Sequence, residues 1–165
     1  MSEQTLFSSS KTHMLDARLL AFRVGAEHDP YLTPEDIESM AFRVESEEAF
    51  NPEQKQVRLL LNVWIDAHVR NEPDAEPDQA EATEYKGIGF CRIGFVFTMD
   101  NYEELIQPAE NFEEGMVVDA TAMAHLFAMA YSTSRGMILV KTRGTSLEGS
   151  LLPIIDPMVL MDKEG

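Results

Sequence analysis

Side-chain chemistry needs particular residue types at particular spacings, and this chain offers few. Its four histidines, His13, His28, His68 and His125, are scattered, with no His-x-x-x-His pair. A lone cysteine, Cys91, leaves a zinc site short of ligands. Cys91 sits beside Arg92 in a strand-like run, where the expected role is that of a small packed side chain. His125 follows Asp119 early in a helical run, which is the raw material of general acid–base work. Nothing else in the sequence converges on that pair. Glu103-Glu104 and Glu113-Glu114 read as solvated faces rather than paired catalytic carboxylates. Gly87-x-Gly89 is a weak phosphate signal, because it lies inside a strand pattern and no Lys-Ser or Lys-Thr follows. A nucleophile triad need not be contiguous, so sequence leaves it open, but there is no Gly-x-Ser-x-Gly elbow. The most distinctive stretch carries no chemistry at all. It runs from Tyr131-Ser132-Thr133-Ser134-Arg135-Gly136 through Lys141-Thr142-Arg143-Gly144 to Leu151-Leu152-Pro153-Ile154-Ile155-Asp156. A helix, a glycine stop and an apolar loop in that order suit binding of hydrophobic surface.

Composition frames these elements. The chain has 165 residues, of which 44% are hydrophobic, enough for one domain with a core. It carries 29 acids against 13 Lys and Arg, a net charge of −16. Such a surface repels nucleic acid, whose binding depends on neutralising phosphates. It suits solubility and steering toward basic partners. One cysteine excludes an internal disulfide framework. The start, Met1-Ser2-Glu3-Gln4, lacks a basic region followed by an apolar run, so no signal peptide is expected. No apolar segment approaches the roughly 20 residues of a membrane helix. A cytoplasmic location follows as an expectation. Ten methionines supply flexible apolar side chains of the kind found on adaptable surfaces.

Residues 1–13 are expected to be a disordered tail, and 14–165 a single domain. Residues 14–24 fit a strand or a helix. Residues 37–46 carry a true conflict. Thr33-Pro34-Glu35-Asp36 resembles a helix start, yet Met40, Phe42 and Val44 alternate as a strand. Residues 57–69 are the clearest element. Val57, Leu59, Leu61, Val63, Ile65, Ala67 and Val69 share one parity, which predicts a strand with one buried face. Leu60 and Trp64 break the polar parity, so something is expected to cover them. Residues 71–83 are acidic, contain Pro73 and Pro77, and read as a mobile hairpin loop. Residues 84–99 form the next strand, with Gly87, Gly89 and Gly94 marking bulges or close backbone approach. A short helical turn follows over 102–106. Asp119 is a good N-cap for a long helix ending at Gly144. Gly136 falls mid-helix, where close approach by a sheet or by another copy of the helix would explain it. Four strands followed by one long helix predict an α+β domain, a four-stranded antiparallel sheet with the helix packed on it.

The strand order, Tyr131 with Arg135, Thr142-Arg143-Gly144, and the Leu151 to Asp156 loop together resemble the SecB family of protein-export chaperones. The resemblance spans about residues 14–160 and rests on short, degenerate motifs. It also underlies the choice of strand for 37–46. It implies an ATP-independent holdase that binds unfolded polypeptides, needs no cofactor or metal, and performs no catalysis. Implied partners are unfolded preproteins and the Sec translocase motor ATPase, with assembly as a dimer or a dimer of dimers and no membrane insertion. The implied peptide-binding residues are Leu151, Leu152, Ile154, Ile155 and Met158 from the loop, with Leu160 beyond, and Met40, Phe42 and Trp64 from the sheet. Tyr131, Arg135 and Gly136 are the implied oligomer interface. The sequence also departs from the family. Only Met158 to Gly165 follow the loop, too few for the family's second helix. Lys86, Arg92 and glycines stand where an acid for the motor is expected. A SecB-like chaperone of a toxin–antitoxin pair is therefore an alternative. So are an acyl-thioester enzyme of hot-dog type using Asp119, and a structural assembly subunit with Trp64 and Gly136 at its contacts.

Overall fold

The computed structural model describes residues 9–25, 31–70, 82–109 and 115–160. Alternation of apolar side chains produces four long strands: β1 (Thr12–Val24), β2 (Ile37–Asn51), β3 (Gln56–Arg70) and β4 (Ala82–Met99). They pair antiparallel in the order β1-β4-β3-β2. Thus β2, β3 and β4 form a meander, and the first strand joins beside the fourth. The odd parity of β3, from Val57 to Val69, is buried throughout. On β4 the matching set is Cys91, Ile93, Phe95, Phe97 and Met99. This inner face is the core.

The long helix α2 (Ala120–Lys141) lies on that face and buries Ala122, Met123, Leu126, Phe127, Ala130, Tyr131, Ser134 and Ile138. Asp119 caps it, its carboxylate accepting from the Ala122 N–H at 2.8 Å. The architecture is α+β, a four-stranded antiparallel sheet with one long helix packed on it. A short helix, α1 (Tyr102–Leu105), and a small sheet of β5 (Ile106–Pro108) and β6 (Met116–Val118) link β4 to α2. Among the described residues, no helix is long and apolar enough to cross a membrane.

Several expectations are corrected. The tail was expected to reach residue 13, but Ser9–Lys11 is a 3-10 turn and β1 begins at Thr12. Thr12 pairs with Met99, which recruits those residues to the sheet. Residues 1–8 lie outside the described residues. The hairpin loop was expected to run to residue 83, yet Ala82 and Thr83 already pair with Arg70 and Val69. The remainder of that loop, 71–81, lies outside the described residues. The helix signal at Thr33 is real but brief. The Thr33 N–H and hydroxyl both donate to the Asp36 carboxylate, at 2.8 and 2.7 Å. Those bonds hold Asp36 below the usual carboxylate range. They shape one 3-10 turn, Pro34–Asp36, and pairing with β3 then takes over at Ile37. The sheet of β5 and β6 was not foreseen, because three-residue strands leave no periodicity to read. Helix α2 stops at Lys141, with Thr142 as its C-cap, so Arg143 falls outside the last turn.

Candidate functional site

The segment after α2 is a chain of tight turns. Thr145, Glu148 and Ser150 N–H groups donate to the carbonyls of Thr142, Thr145 and Leu147. Gly144 sits at φ 73, a left-handed conformation that costs glycine little. Leu147 is buried on the sheet over Gly89. A Cβ at Gly89 would fall 2.5 Å from Leu147 Cδ1 and 3.0 Å from Ile65, so the bare backbone there is what admits the loop. Gly87, at φ 62, lies within the register shift between Ile65 and Ala67, and its N–H donates to the Asp66 carboxylate.

The loop then runs along the helix and is tied to it twice. The Tyr131 hydroxyl donates to Pro153 O at 2.9 Å, and Arg135 Nε donates to Leu152 O at 2.8 Å. Burial raises the Tyr131 phenol, partly opposed by the Arg135 charge, so the hydroxyl stays a donor. Leu152, whose own carbonyl carries one of the ties, is 0% exposed. On the sheet side, the Ser150 hydroxyl lies 2.9 Å from Met40 Sδ. The 3-10 turn Pro157–Leu160 touches α2 and β2.

Between α2 and this loop lies a cleft of about 210 Å³. Ala128, Ser132, Tyr131 and Arg135 form the helix side; Ile154, Ile155 and Pro157 form the loop side. Ile154 is 86% exposed, and Leu151 and Met158 are also exposed. The cleft is smaller than the roughly 300–1,000 Å³ typical of small-molecule pockets. It suits an apolar side chain presented from outside. No family model matches the chain. No curated protein matches it either.

The expected site residues are therefore partly assembled and partly separated. Ile154 and Ile155 meet Tyr131 and Arg135 in the cleft, although the latter two were expected at a subunit contact. Leu151 and Met158 lie exposed on the same loop. Leu152 is corrected: it is a buried anchor, not an accessible wall. Met40 and Phe42 are half-buried on the inner face of β2. Trp64 is on the opposite face, paired in register with Arg43 and Phe90. One groove cannot hold both sets, because successive strand residues point to opposite faces. The Leu160 side chain lies outside the described residues. Gly136 is exposed, and a Cβ there would meet nothing within 4 Å, so the sheet is not what approaches it. Ala128, Ser132 and Pro157 were missed. Ala128 and Ser132 were findable, since they stand one turn from Tyr131 and Arg135 on the same helix face.

The catalytic candidates are placed as well. Cys91 is buried, and burial pushes its thiol up to about 11. The Asp119 carboxylate is engaged as the helix cap. Among the described residues, no group of three or more His, Cys, Asp or Glu is placed to hold a metal.

Proposed function

We propose that this chain is an ATP-independent holdase of SecB-like type, gripping unfolded polypeptides along the cleft between α2 and the loop that follows it. One observation carries the reading. Ile154 stands exposed on a loop whose backbone is fixed at the two carbonyls just before it, Leu152 O by Arg135 and Pro153 O by Tyr131. An apolar side chain ordinarily escapes water by folding inward, and here the loop's bonds hold it out. Each client side chain buried against such a surface is worth roughly 1.5–3 kcal/mol before ordering costs. Binding then depends on several such contacts and needs no chemistry. The reading extends to preproteins as clients, to export through the Sec motor, to a cytoplasmic setting and to a homo-oligomer that joins several clefts. An antitoxin is the competing client, and co-purified polypeptides would distinguish the two. The hot-dog thioesterase reading loses support because Asp119 already caps the helix.

The test is suppression of aggregation of a denatured model protein without ATP. The wild-type chain at stoichiometric excess should suppress it and form a complex on gel filtration. Ile154→Asp should lose most of that effect while keeping the native circular dichroism. No suppression by the wild-type chain would end this reading.

A further inference from the structure

The cleft between α2 and its following loop holds one charge that nothing answers. Ile154, Ile155 and Pro157 give it an apolar wall, and among the described residues Arg135 is the only charged side chain lining it. No Asp or Glu occurs in α2 from Ala120 to Lys141, in a chain that carries 29 acids. The loop's Asp156 accepts the Met158 N–H at 3.0 Å and does not line the cleft. Arg135 makes no ion pair among the described residues.

The arginine is also held in place. Its Nε donates to Leu152 O at 2.8 Å, which fixes the guanidinium plane and leaves both Nη groups without a partner among the described residues. Such a planar fork matches a carboxylate with two parallel hydrogen bonds, and these charge-assisted bonds are the strong ones. Arg135 is half-buried, so its charge is partly stripped of water and gains from an anion that arrives. Ser132 stands three residues earlier on the same helix face and lines the same cleft, so its exposed hydroxyl is the neighbouring donor. Ordering the arginine beforehand removes part of the cost of binding.

We infer, on the reading of this cleft as a client site, that it selects client segments in which an Asp or Glu stands two residues from an aliphatic side chain. The helix rises about 10 Å from Ala128 to Arg135. In an extended segment, residues two apart point the same way and stand about 7 Å apart. The aliphatic side chain then packs toward Ala128 against the apolar wall while the carboxylate takes the Nη fork. The net charge of −16 repels acidic segments at a distance, so a preference for them has to arise at a local cation.

The probes are labelled, C-terminally amidated peptides repeating Leu-Ser-Glu-Ser, titrated against the full chain by fluorescence anisotropy. Counterparts carry Gln or Lys in place of Glu. A further one repeats Leu-Glu-Ser-Ser, the same composition with the acid turned to the opposite face. The Leu-Ser-Glu-Ser peptide should bind roughly tenfold or more tighter than the Gln peptide, and the reordered one should lose that advantage. Arg135→Gln should erase the preference for Glu, and Arg135→Glu should invert it in favour of Lys. Ile154→Asp should weaken all the peptides together. Equal binding of the Glu, Gln and reordered peptides, all lost on Ile154→Asp, would overturn this inference and leave the client cleft standing. Binding of none of them would overturn both. A Gln peptide with a free C-terminus that matches the Glu peptide would overturn the inference by assigning Arg135 to chain ends. Peptide binding that fades as dimers form in light scattering would overturn it by placing a second copy in the cleft.

Discussion

Tyr131 and Arg135 each spend one hydrogen bond on the same two-residue stretch of loop, and this makes their roles separable. Arg135→Ala and Tyr131→Phe should each cost about 1 kcal/mol, the ordinary net worth of such a bond. Chemical denaturation checks the cost, and faster amide exchange around 150–155 checks its location. Unchanged exchange would mean the ties are not what orders the loop. Cys91 gives a pH prediction of definite sign. Its thiol ordinarily ionises near 9.0 and in the fold near 11, because burial disfavours the thiolate. The folded chain therefore keeps a proton that the unfolded chain releases. Below pH 9 the group adds no slope, and between about 9 and 11 stability falls as pH rises. Cys91→Ala should flatten that limb of the stability profile. A thiol reagent at pH 8 should label Cys91 only after unfolding, and rapid native labelling would contradict its burial.

Among the elements, α2 and the loop after it invite opposite outcomes from two glycines. Gly136 is helical, outward and clear of neighbours, so Gly136→Ala should stabilise by about 0.5–1 kcal/mol through propensity alone. If the substitution instead changes the oligomer measured by light scattering, another copy approaches that turn. Gly89→Ala should destabilise by roughly 1–3 kcal/mol, since Leu147 must leave its seat against the sheet. The contrast also shows what sequence can convey. The alternation from Val57 to Val69 announced β3 because one whole parity enters the core. The Asp119 cap announced the start of α2 because an orphan N–H needs a side chain there. The loop's role was only half legible. Leu151, Leu152, Ile154 and Ile155 are chemically alike, and which one is buried depends on two backbone carbonyls that carry no sequence signature. Trp64 stood out as an aromatic on a polar parity, but its separation from Met40 and Phe42 needed the register to be applied to both strands at once.

At the scale of the molecule, a net charge of −16 repels itself within one domain. Added monovalent salt should therefore raise the melting temperature until screening is complete, and a flat response would show the charges to be well dispersed. Both sheet edges are long. β2 presents Glu38, Glu45, Glu47 and Glu48 along its length, a charge-guarded edge, while β1 exposes Leu15 and Leu20. The strand order has a consequence in time as well as in space. β1 pairs with β4, Thr12 against Met99 and Val24 against Gly89. On a ribosome adding about 5–20 residues per second, the first strand made must wait several seconds for its only neighbour. β2, β3 and β4 close hairpin on hairpin as they emerge. The nascent chain therefore carries an orphan strand through much of its own synthesis, and its window of vulnerability closes only when the fourth strand leaves the exit tunnel.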